Sequence, residues 1–413
     1  MANEGARREE VLETAASMFA SSGLRTSLKE IADAAGILPG SLYHHFESKE
    51  AIIVELVRRY QDDLDRVAKE AVDALHELDP RPAEERVVEL GEAIASCAVR
   101  HRAALLLTLY EPPTNAGEEL AELARQTPTA IYAAMSEILQ KGLESGDIRS
   151  GIDLQLLAER ICQSMLHVGV GVFHRSQAAH HLPSQKCRIF LHGVGVRVPS
   201  KTALDRSAAM QVARDVIATW GEGEADDDRM VHVRAVARAE FGRRGYEATT
   251  IRDIASAAGL STGTVYRMFS SKDELLLSIM EAYSDHFATA WDAVAASGSS
   301  PLEQLDALMW VNINVLDQFS EEFNIQLAWL RQSPPSTLDL GLSLGRQLQQ
   351  LKALLAAGAE AGELRVEGAS ADARARSLYE LLLTPENIVR TAGTRQAQAL
   401  ARETVLRGAA RRS

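Results

Sequence analysis

Side chains that can make directed hydrogen bonds are concentrated in two short segments of the sequence. The first is Ser41-Leu-Tyr-His-His45 and the second is Thr264-Val-Tyr-Arg-Met268. Helical spacing puts Leu42 and Phe46 on one apolar face of the first segment, so its hydroxyl and imidazole groups occupy the outer faces. The hydroxyl, imidazole and guanidinium groups of these segments can therefore make hydrogen bonds from the surface of an exposed helix.

The sequence carries no complete signature of catalysis or of metal binding. It contains no His-Glu-x-x-His and no Gly-x-x-x-x-Gly-Lys-Ser/Thr motif. Gly-x-Ser-x-Gly occurs at residues 259–263 and 341–345, but neither run follows a predicted strand, which the hydrolase motif requires. The three cysteines, Cys97, Cys162 and Cys187, are far apart and odd in number, so they predict neither a disulfide framework nor a metal-ligand cluster. We therefore expect a protein that is not an enzyme and has no cofactor and no bound metal.

Glycine turns and apolar spacing predict the elements that present the polar segments. Residues 28–35 are predicted as a short helix, which Gly36 ends by taking a left-handed conformation. Pro39 suits the first turn of a second helix, which carries the first polar segment. The other polar segment has the same arrangement, and either Ser261 or Thr262 caps its helix. Two short helices joined by a glycine turn, with polar and aromatic side chains on the second, form a helix-turn-helix.

The two helix-turn-helix segments are copies of each other. Aligned without gaps, residues 31–49 and 254–272 are identical at ten of nineteen positions. Phe19 and Gly23 also match Phe241 and Gly245 after one gap. The chain is therefore a tandem duplication of a unit about half its length.

The repeat and the composition set the predicted domain boundaries. Apolar residues recur at helical spacing without sustained period-two alternation, which predicts an all-α fold. A connector helix from Asp205 to Trp220 precedes an acidic stretch, and the sequence leaves open whether that helix belongs to the first copy. The predicted domains are a first helix-turn-helix (residues 1–50), a first helical body (51–200), the connector and acidic linker (201–228), a second helix-turn-helix (229–274) and a second helical body (275–413).

Composition and charge narrow the possible classes of function. The 413 residues are 46% hydrophobic, with no apolar run long enough to cross a membrane and no secretory signal, so we expect a cytoplasmic globular protein. The net charge of −13 argues against a protein that coats nucleic acid non-specifically. The charge balance is −3 over residues 1–50 but +2 over residues 228–274.

The repeated run resembles a known family of regulators. Both copies share the run Ile-Ala-x-Ala-Ala-Gly-(apolar)-x-x-Gly-(Ser/Thr)-(Leu/Val)-Tyr-x-x-Phe-x-Ser-Lys. This run is similar to the DNA-binding head of TetR-family transcriptional regulators. A double-headed chain resembles tandem TetR-like regulators of actinobacteria, which include repressors of lipid-transport operons. Residues 36–46 are also similar to repressors of sterol catabolism that sense CoA thioesters.

The resemblance implies roles for individual residues. It implies a repressor of operator DNA that a small effector, such as an acyl-CoA-like molecule, releases, and bodies that pair through their last two helices. The bodies are rich in Leu, Ala and Met with few lysines, so an apolar or amphipathic effector is expected. At Leu38 and Pro39 the first copy departs from the polar pair Ser261-Thr262 of the second copy, which predicts a weaker N-terminal cap and puts phosphate contacts there in doubt. The residues implied to contact DNA are Ser41, Tyr43, His44, Lys49, Ser261, Thr262, Thr264, Tyr266, Arg267 and Lys272.

The two copies are expected to pair within one chain. Such a pseudo-dimer would read an asymmetric operator because its recognition helices differ, and a dimer of chains with four heads is the alternative. Loss of DNA binding by both heads, leaving a helical sensor or scaffold, is a further alternative.

Aromatic, methionine and cysteine positions in the bodies are candidates for the effector pocket, although such residues at helical spacing also form ordinary cores. His167 and His174 could contact a ligand or lie in the core, and Gly169-Val-Gly171 and Gly193-Val-Gly195 are expected to mark close packing. The candidate lining residues are Cys97, Leu106, Tyr110, Met135, Met165, Phe173, Trp310, Phe319, Phe323 and Trp329.

Overall fold

A computed structural model describes most of the chain and gives an all-α fold. It describes residues 2–22, 26–76, 81–108, 117–170, 181–220, 228–246, 249–331, 344–368, 370–383 and 386–411. These ranges contain no β-strand, only isolated bridges, so the predicted fold class is confirmed. No helix in these ranges is long and apolar enough to cross a membrane.

The helices of the first copy include a three-helix head and a longer body. They are α1 (Ala2–Ser22), α2 (Leu28–Ala34), α3 (Pro39–His45), α4 (Lys49–His76), α5 (Ala83–Arg100), α6 (Arg102–Leu107), α7 (Glu118–Arg125), α8 (Thr129–Ser145), α9 (Leu154–Val170) and α10 (Leu182–His192).

The connector and the second copy supply the remaining helices. They are α11 (Lys201–Asp205), α12 (Ala208–Thr219), α13 (Asp228–Arg244), α14 (Ile251–Ala257), α15 (Thr262–Met268), α16 (Lys272–Ala295), α17 (Pro301–Gln318), α18 (Ser320–Arg331), α19 (Leu344–Glu360), α20 (Ala371–Leu382), α21 (Glu386–Ala392) and α22 (Thr394–Ala401), which continues into a π-helical turn (Arg402–Leu406).

The connector differs in extent from the single helix predicted over residues 205–220. It is divided at Arg206 and Ser207, because the Ser207 hydroxyl accepts a hydrogen bond from the Met210 amide and so begins a new helix. The resulting helix α12 packs against α16 and α17 of the second copy. At its end the Trp220 ring lies 5.3 Å from the Phe319 ring. By its contacts, α12 is part of the second copy's core.

The ends of the two bodies exchange backbone hydrogen bonds in a reciprocal pattern. We name residues 190–196 the first closing segment and residues 405–411 the second closing segment. Each closing segment bonds to the other one and to the turn that follows α8 or α19 of the opposite copy. In every bond named here the first residue donates its backbone N–H to the backbone oxygen of the second. Between the two closing segments, Val194 to Val405 (2.8 Å) matches Ala409 to Phe190 (2.9 Å), and Gly195 to Leu406 (2.9 Å) matches Ala410 to Leu191 (2.7 Å). Between a closing segment and the opposite turn, Val196 to Glu363 (2.8 Å) matches Arg411 to Asp147 (2.7 Å), and Arg365 to Val194 (2.7 Å) matches Arg149 to Ala409 (2.9 Å).

This exchange has the geometry of an interface around a two-fold axis. For each bond from a residue of one copy to a residue of the other, the two residues at the equivalent positions make the same bond in the opposite direction. Isologous dimers show the same relation. The isolated bridges Gly195 to Leu364 and Ile148 to Ala410 obey the same relation. The backbone hydrogen bonds at the closing segments are thus matched pairwise between the two copies.

Glycine allows the closing segments to approach each other. Gly193 has φ +66°, and a Cβ atom there would lie 2.4 Å from the Leu406 carbonyl oxygen. Gly408, its counterpart, has φ +81°, and a Cβ atom would lie 2.3 Å from the His192 carbonyl carbon. A Cβ at Gly169 would lie 2.5 Å from the Ala98 backbone. The expectation of close packing is confirmed at Gly169, Gly193 and Gly195, whereas Gly171 lies outside the described residues.

Buried polar side chains also cross between the copies. The Arg160 guanidinium in α9 donates to Leu381 O (2.9 Å) and to Thr404 Oγ1 (3.2 Å) of the second copy and lies over the Phe190 ring. Burial lowers the pKa of Arg160 to about 9. The buried Lys186 ammonium pairs with Glu380 in α20. Removal of one partner of a buried ion pair leaves an uncompensated charge in the interior, which is strongly destabilising.

Candidate nucleic-acid interface

Local sequence signals begin and end the two helices of each helix-turn-helix. Ser27 and Glu30 form a capping box at α2, and Thr250 and Asp253 form one at α14. After each of these helices a glycine with positive φ turns the chain toward the next helix. The same geometry is built twice, from different residues at the caps.

The recognition helices α3 and α15 bury one apolar face and expose a polar one. Leu42 and Val265 are fully buried in their heads, as predicted. Tyr43 is 56% exposed and Tyr266 is 52% exposed, an unusual degree of exposure for large aromatic side chains. Ser41, His44, Ser261 and Arg267 are exposed and Thr262 and Thr264 half-buried, so each predicted cluster is brought together on the surface of its head.

Hydrogen bonds orient the polar face of α15. The Ser261 hydroxyl caps the helix by accepting from the Thr264 amide at 3.2 Å, which identifies it as the cap, rather than Thr262. Ser261 Oγ and Thr264 Oγ1 are 2.9 Å apart, and Arg267 donates to Thr264 Oγ1 at 3.2 Å. In α3 the cap position is Leu38, which makes no side-chain cap. The weaker N-terminal cap predicted for the first copy is confirmed.

The two lysines predicted to contact phosphate begin the next helices, α4 and α16. The Lys272 ammonium donates to Tyr246 O (2.7 Å) and Thr249 O (2.9 Å) and lies over the Tyr246 ring. The Lys49 ammonium lies 5.9 Å from the Phe19 ring centre, and burial lowers its pKa. Both cations therefore help to hold their heads together, and their contact with phosphate stays a prediction.

Two further features of the heads lie at equivalent positions in the two copies. Gly40 and Gly263, which belong to the shared run of the sequence, lie in the first turn of each recognition helix, where a Cβ atom would meet no atom closer than 4.0 Å. Glycine costs up to about 1 kcal/mol in a helix relative to alanine, and no described residue requires it at these positions. The exposed Lys29 and Arg252 occupy equivalent positions at the starts of α2 and α14. This pair of basic residues is not among the predicted contacts, although a position-by-position comparison of the two copies reveals it.

Each head is joined to its body by different contacts. In the first copy Arg102 of α6 donates to the Ala20 carbonyl of α1 at 2.7 Å. In the second copy Arg238 of α13 pairs with Glu321 and Glu322 at the start of α18, at 2.9 Å each. Burial raises the pKa of Glu322, and the nearby guanidinium opposes that rise.

Three of the predicted pocket residues of the first body are buried, and their part in a pocket stays a prediction. Cys97, Met135 and Met165 are at most 1% exposed, and the Met165 sulfur lies 3.9 Å from the Cys187 sulfur. Leu106 packs half-buried against the same core, whereas Tyr110, Phe173 and His174 lie outside the described residues. Among the described residues, a cavity of about 490 Å³ lies between α10 and the turn before α20, lined by Arg188, Arg365 and their neighbours.

Buried polar atoms without partners are found in the second body. Among the described residues, Trp291 Nε1 and Gln347 Nε2 have no hydrogen-bond partner although they are buried. Tyr379 connects them, since its ring lies 6.1 Å from the Trp291 ring and its hydroxyl donates to Gln347 Oε1 at 3.0 Å. Buried donors without partners are rare in folded proteins.

The remaining pocket residues predicted for the second body are only partly described. Trp310, Phe319 and Phe323 are half-buried against the core, and the side chain of Trp329 lies outside the described residues.

Comparison with known proteins finds a family match at each copy of the repeat. A family model described as "Bacterial regulatory proteins, tetR family" matches residues 11–56 and 233–279. The chain is 39% identical to the HTH-type transcriptional repressor KstR2 of Rhodococcus jostii over 152 residues, which is 36% of this chain and 72% of the relative. KstR2 of Mycobacterium tuberculosis is 36% identical over 37% of this chain and 74% of its own length.

Similar solved structures resemble one half of the chain. The ketosteroid transcriptional regulator KstR2 of Mycobacterium tuberculosis matches with a TM-score of 0.39 and 22% identity, over 46% of this chain and 98% of that one. The Escherichia coli protein named as a probable acrEF/envCD operon repressor is 31% identical over 36% of this chain and 68% of its own length.

Proposed function

Because the chain belongs to the tetR family of bacterial regulatory proteins, we propose that it is a repressor whose two heads read the unlike halves of an asymmetric operator. DNA-binding regulation is what its relatives support. One observation carries the proposal: each head presents an exposed polar helix face with an otherwise unexplained glycine at its start. A tight approach of the DNA backbone accounts for such a glycine, since phosphates bind at helix N-termini.

The reciprocal closing segments support pairing of the two copies within one chain. In a dimer of identical subunits, a two-fold axis brings the two heads to successive major grooves about 34–36 Å apart. Here both halves of the interface are present in one chain, so a second chain is not needed to complete it. The recognition helices then present Ser41, Tyr43 and His44 to one half-site and Thr264, Tyr266 and Arg267 to the other.

The second head is expected to bind DNA more tightly than the first. Arg267→Ala should weaken operator binding by about 1–3 kcal/mol, because arginine can make a bidentate contact to guanine. His44→Ala should cost less, since an imidazole lacks the guanidinium fork for a bidentate contact and the first head carries a net negative charge. Mobility-shift titrations of both variants on the natural operator, at one salt concentration, measure the difference.

A matched control separates base reading from loss of charge. Arg346→Ala removes a positive charge from an exposed arginine of α19, where it pairs with Asp292 in the second body. It should leave operator affinity nearly unchanged. If His44→Ala lost as much operator affinity as Arg267→Ala, or more, the ranking of the two heads would be wrong. If the wild-type protein shifted no DNA that flanks its own coding region, a scaffold without DNA binding would be favoured.

We further propose that the effector is an apolar or acyl-CoA-like molecule with a hydrogen-bond acceptor, bound in the second body. The buried aromatic rings of Trp291 and Tyr379 suit an apolar ligand. The partnerless Trp291 Nε1 and Gln347 Nε2 groups suit a carbonyl or similar oxygen on that ligand. By linkage, a ligand that weakens DNA binding must itself bind less tightly to the DNA complex, by the same factor.

A panel of acyl-CoA esters, sterol fragments and aromatic acids tests the effector proposal. At least one compound should release operator DNA and raise the melting temperature, and Gln347→Met should abolish both effects. Gln326→Met is the matched control, because Gln326 is also buried and accepts from a tyrosine hydroxyl, that of Tyr283 at 2.6 Å. If no compound acts, or both variants respond like the wild type, the effector proposal fails.

A further inference from the structure

Three side chains with metal-ligating atoms meet where the first body joins its head. Asp63 lies on α4, Cys97 on α5, and His101 follows α5 directly, one helical turn after Cys97. Their carboxylate, thiol and imidazole atoms all lie within 4.8 Å of one another. The His101 Nε2 atom is already 2.9 Å from an Asp63 carboxylate oxygen. From this geometry we propose that Asp63, Cys97 and His101 bind a zinc ion.

The ligand set and its spacing suit zinc. Thiolate and imidazole are preferred zinc ligands, and carboxylate is accepted. In a tetrahedral site with bonds of about 2.0–2.3 Å, the ligand atoms lie roughly 3–4 Å apart, so about 1 Å of movement suffices. One thiolate and one carboxylate neutralise the charge of Zn²⁺. Three protein ligands leave a fourth position for water, as in zinc sites that stay accessible.

The surroundings provide a path for the ion and set its affinity. A cavity of about 530 Å³, lined by Asp63 and His101, opens beside the cluster. Arg66 and Arg100 donate to Asp63 and would remain as outer donors to the bound carboxylate. Their charges weaken cation binding, and so does that of Arg59 in the same cavity wall, where it pairs with Glu9. The acidic Glu13 and Asp62 of that wall offset part of the effect. We therefore expect weaker binding than at structural zinc sites, where folding depends on the metal.

The position of the cluster suggests what the ion would do. His101 is followed by Arg102, whose guanidinium donates to the Ala20 carbonyl of the first head. A metal that draws His101 toward Asp63 and Cys97 would shift this contact and so change operator affinity. That consequence rests on the proposed function, whereas the metal site itself does not.

Cobalt substitution in the full-length protein tests the site without DNA. Titrating Co²⁺ into chelator-treated protein should give, at one equivalent, a thiolate-to-Co²⁺ charge-transfer band and the visible bands of a four-coordinate ion, and Zn²⁺ should abolish both. Cys97→Ser should lose the charge-transfer band, whereas Cys162→Ser, which removes another buried thiol, should keep it. No band in the wild type, or an unchanged band in Cys97→Ser, would overturn the site.

A second variant decides the question if Cys97→Ser does not fold. His101→Gln keeps the thiol and alters a side chain that is only partly buried. It should weaken Co²⁺ binding by more than about tenfold, since even loss of an outer-shell partner costs that much. Unchanged Co²⁺ affinity in this variant would contradict the proposal. A cobalt spectrum without any effect of Zn²⁺ on operator binding would uphold the site and refute its coupling to the head.

Discussion

Gly193→Ala is expected to destabilise the protein by about 2–4 kcal/mol, through strain in the backbone and overlap between the two copies. The position has φ +66°, and a Cβ atom would be 2.4 Å from the Leu406 carbonyl oxygen. That oxygen cannot retreat without breaking its bond to the Gly195 amide. Chemical denaturation of the purified protein measures the change in the free energy of unfolding.

Gly298→Ala is the control that isolates the contact between the copies. Gly298 has nearly the same φ, +68°, but a Cβ atom there would have no atom within 4 Å. Only the cost of a left-handed alanine, about 1–2 kcal/mol, should appear there. Gly408→Ala, at the pseudo-symmetric position, should resemble Gly193→Ala. Equal losses for Gly193→Ala and Gly298→Ala would show that the closing segments can move apart freely.

Asp306→Ala is expected to cost about 3–5 kcal/mol, because it leaves the buried guanidinium of Arg402 without its inner partner. Asp306 is fully buried on α17 and accepts two hydrogen bonds of 2.7 Å from Arg402 and one of 2.8 Å from Gln398. Burial raises the pKa of Asp306, and the guanidinium opposes that rise. Thermal and denaturant unfolding of the variant give the loss.

The same arginine supplies the control for this prediction. Arg402 also pairs at 2.7 Å with Asp205 of α11, whose side chain is 35% exposed. Asp205→Ala should cost no more than about 1 kcal/mol, because water can replace the lost partner. A loss for Asp205→Ala that equals that for Asp306→Ala would mean that burial does not decide the strength of this ion pair.

The heads could be predicted from the sequence because their signals are local. Glycine turns, the capping residue Ser261, the uncapped Leu38 and the buried Leu42 all depend on a few neighbouring positions. The repeat added a second, independent instance of each signal. The polar faces of the recognition helices followed from the same short-range spacing.

Pairing between distant residues could not be predicted in the same way. The closing segments share only Leu-x-Gly, at Leu191 and Leu406, and side-chain patterns do not encode backbone exchange between them. The Asp306–Arg402 pair and the cluster at Asp63 join different helices. Spacing along one helix shows at most the Cys97–His101 part of that cluster, one helical turn apart, and not the carboxylate from α4. The expectation that the chain has no metal site was formed from the separation of its cysteines and the absence of a His-Glu-x-x-His motif.

The candidate effector residues show a different limit. Cys97, Met135 and Met165 each occupy an apolar position of a different helix. Helical spacing is the same whether such a residue lines a pocket or fills a core. The distinction depends on voids and on partnerless polar atoms, such as those of Trp291 and Gln347. Both are properties of packing in three dimensions.

The number of chains on one operator tests the central claim most directly. Native mass spectrometry, or analytical ultracentrifugation, of the protein on a minimal footprinted duplex counts them. We predict one chain per duplex, protection of two unlike half-sites in successive major grooves, and weaker binding by Gly193→Ala, which disturbs the closing segments. Two chains on a perfect palindrome, with no effect of Gly193→Ala, would contradict the account.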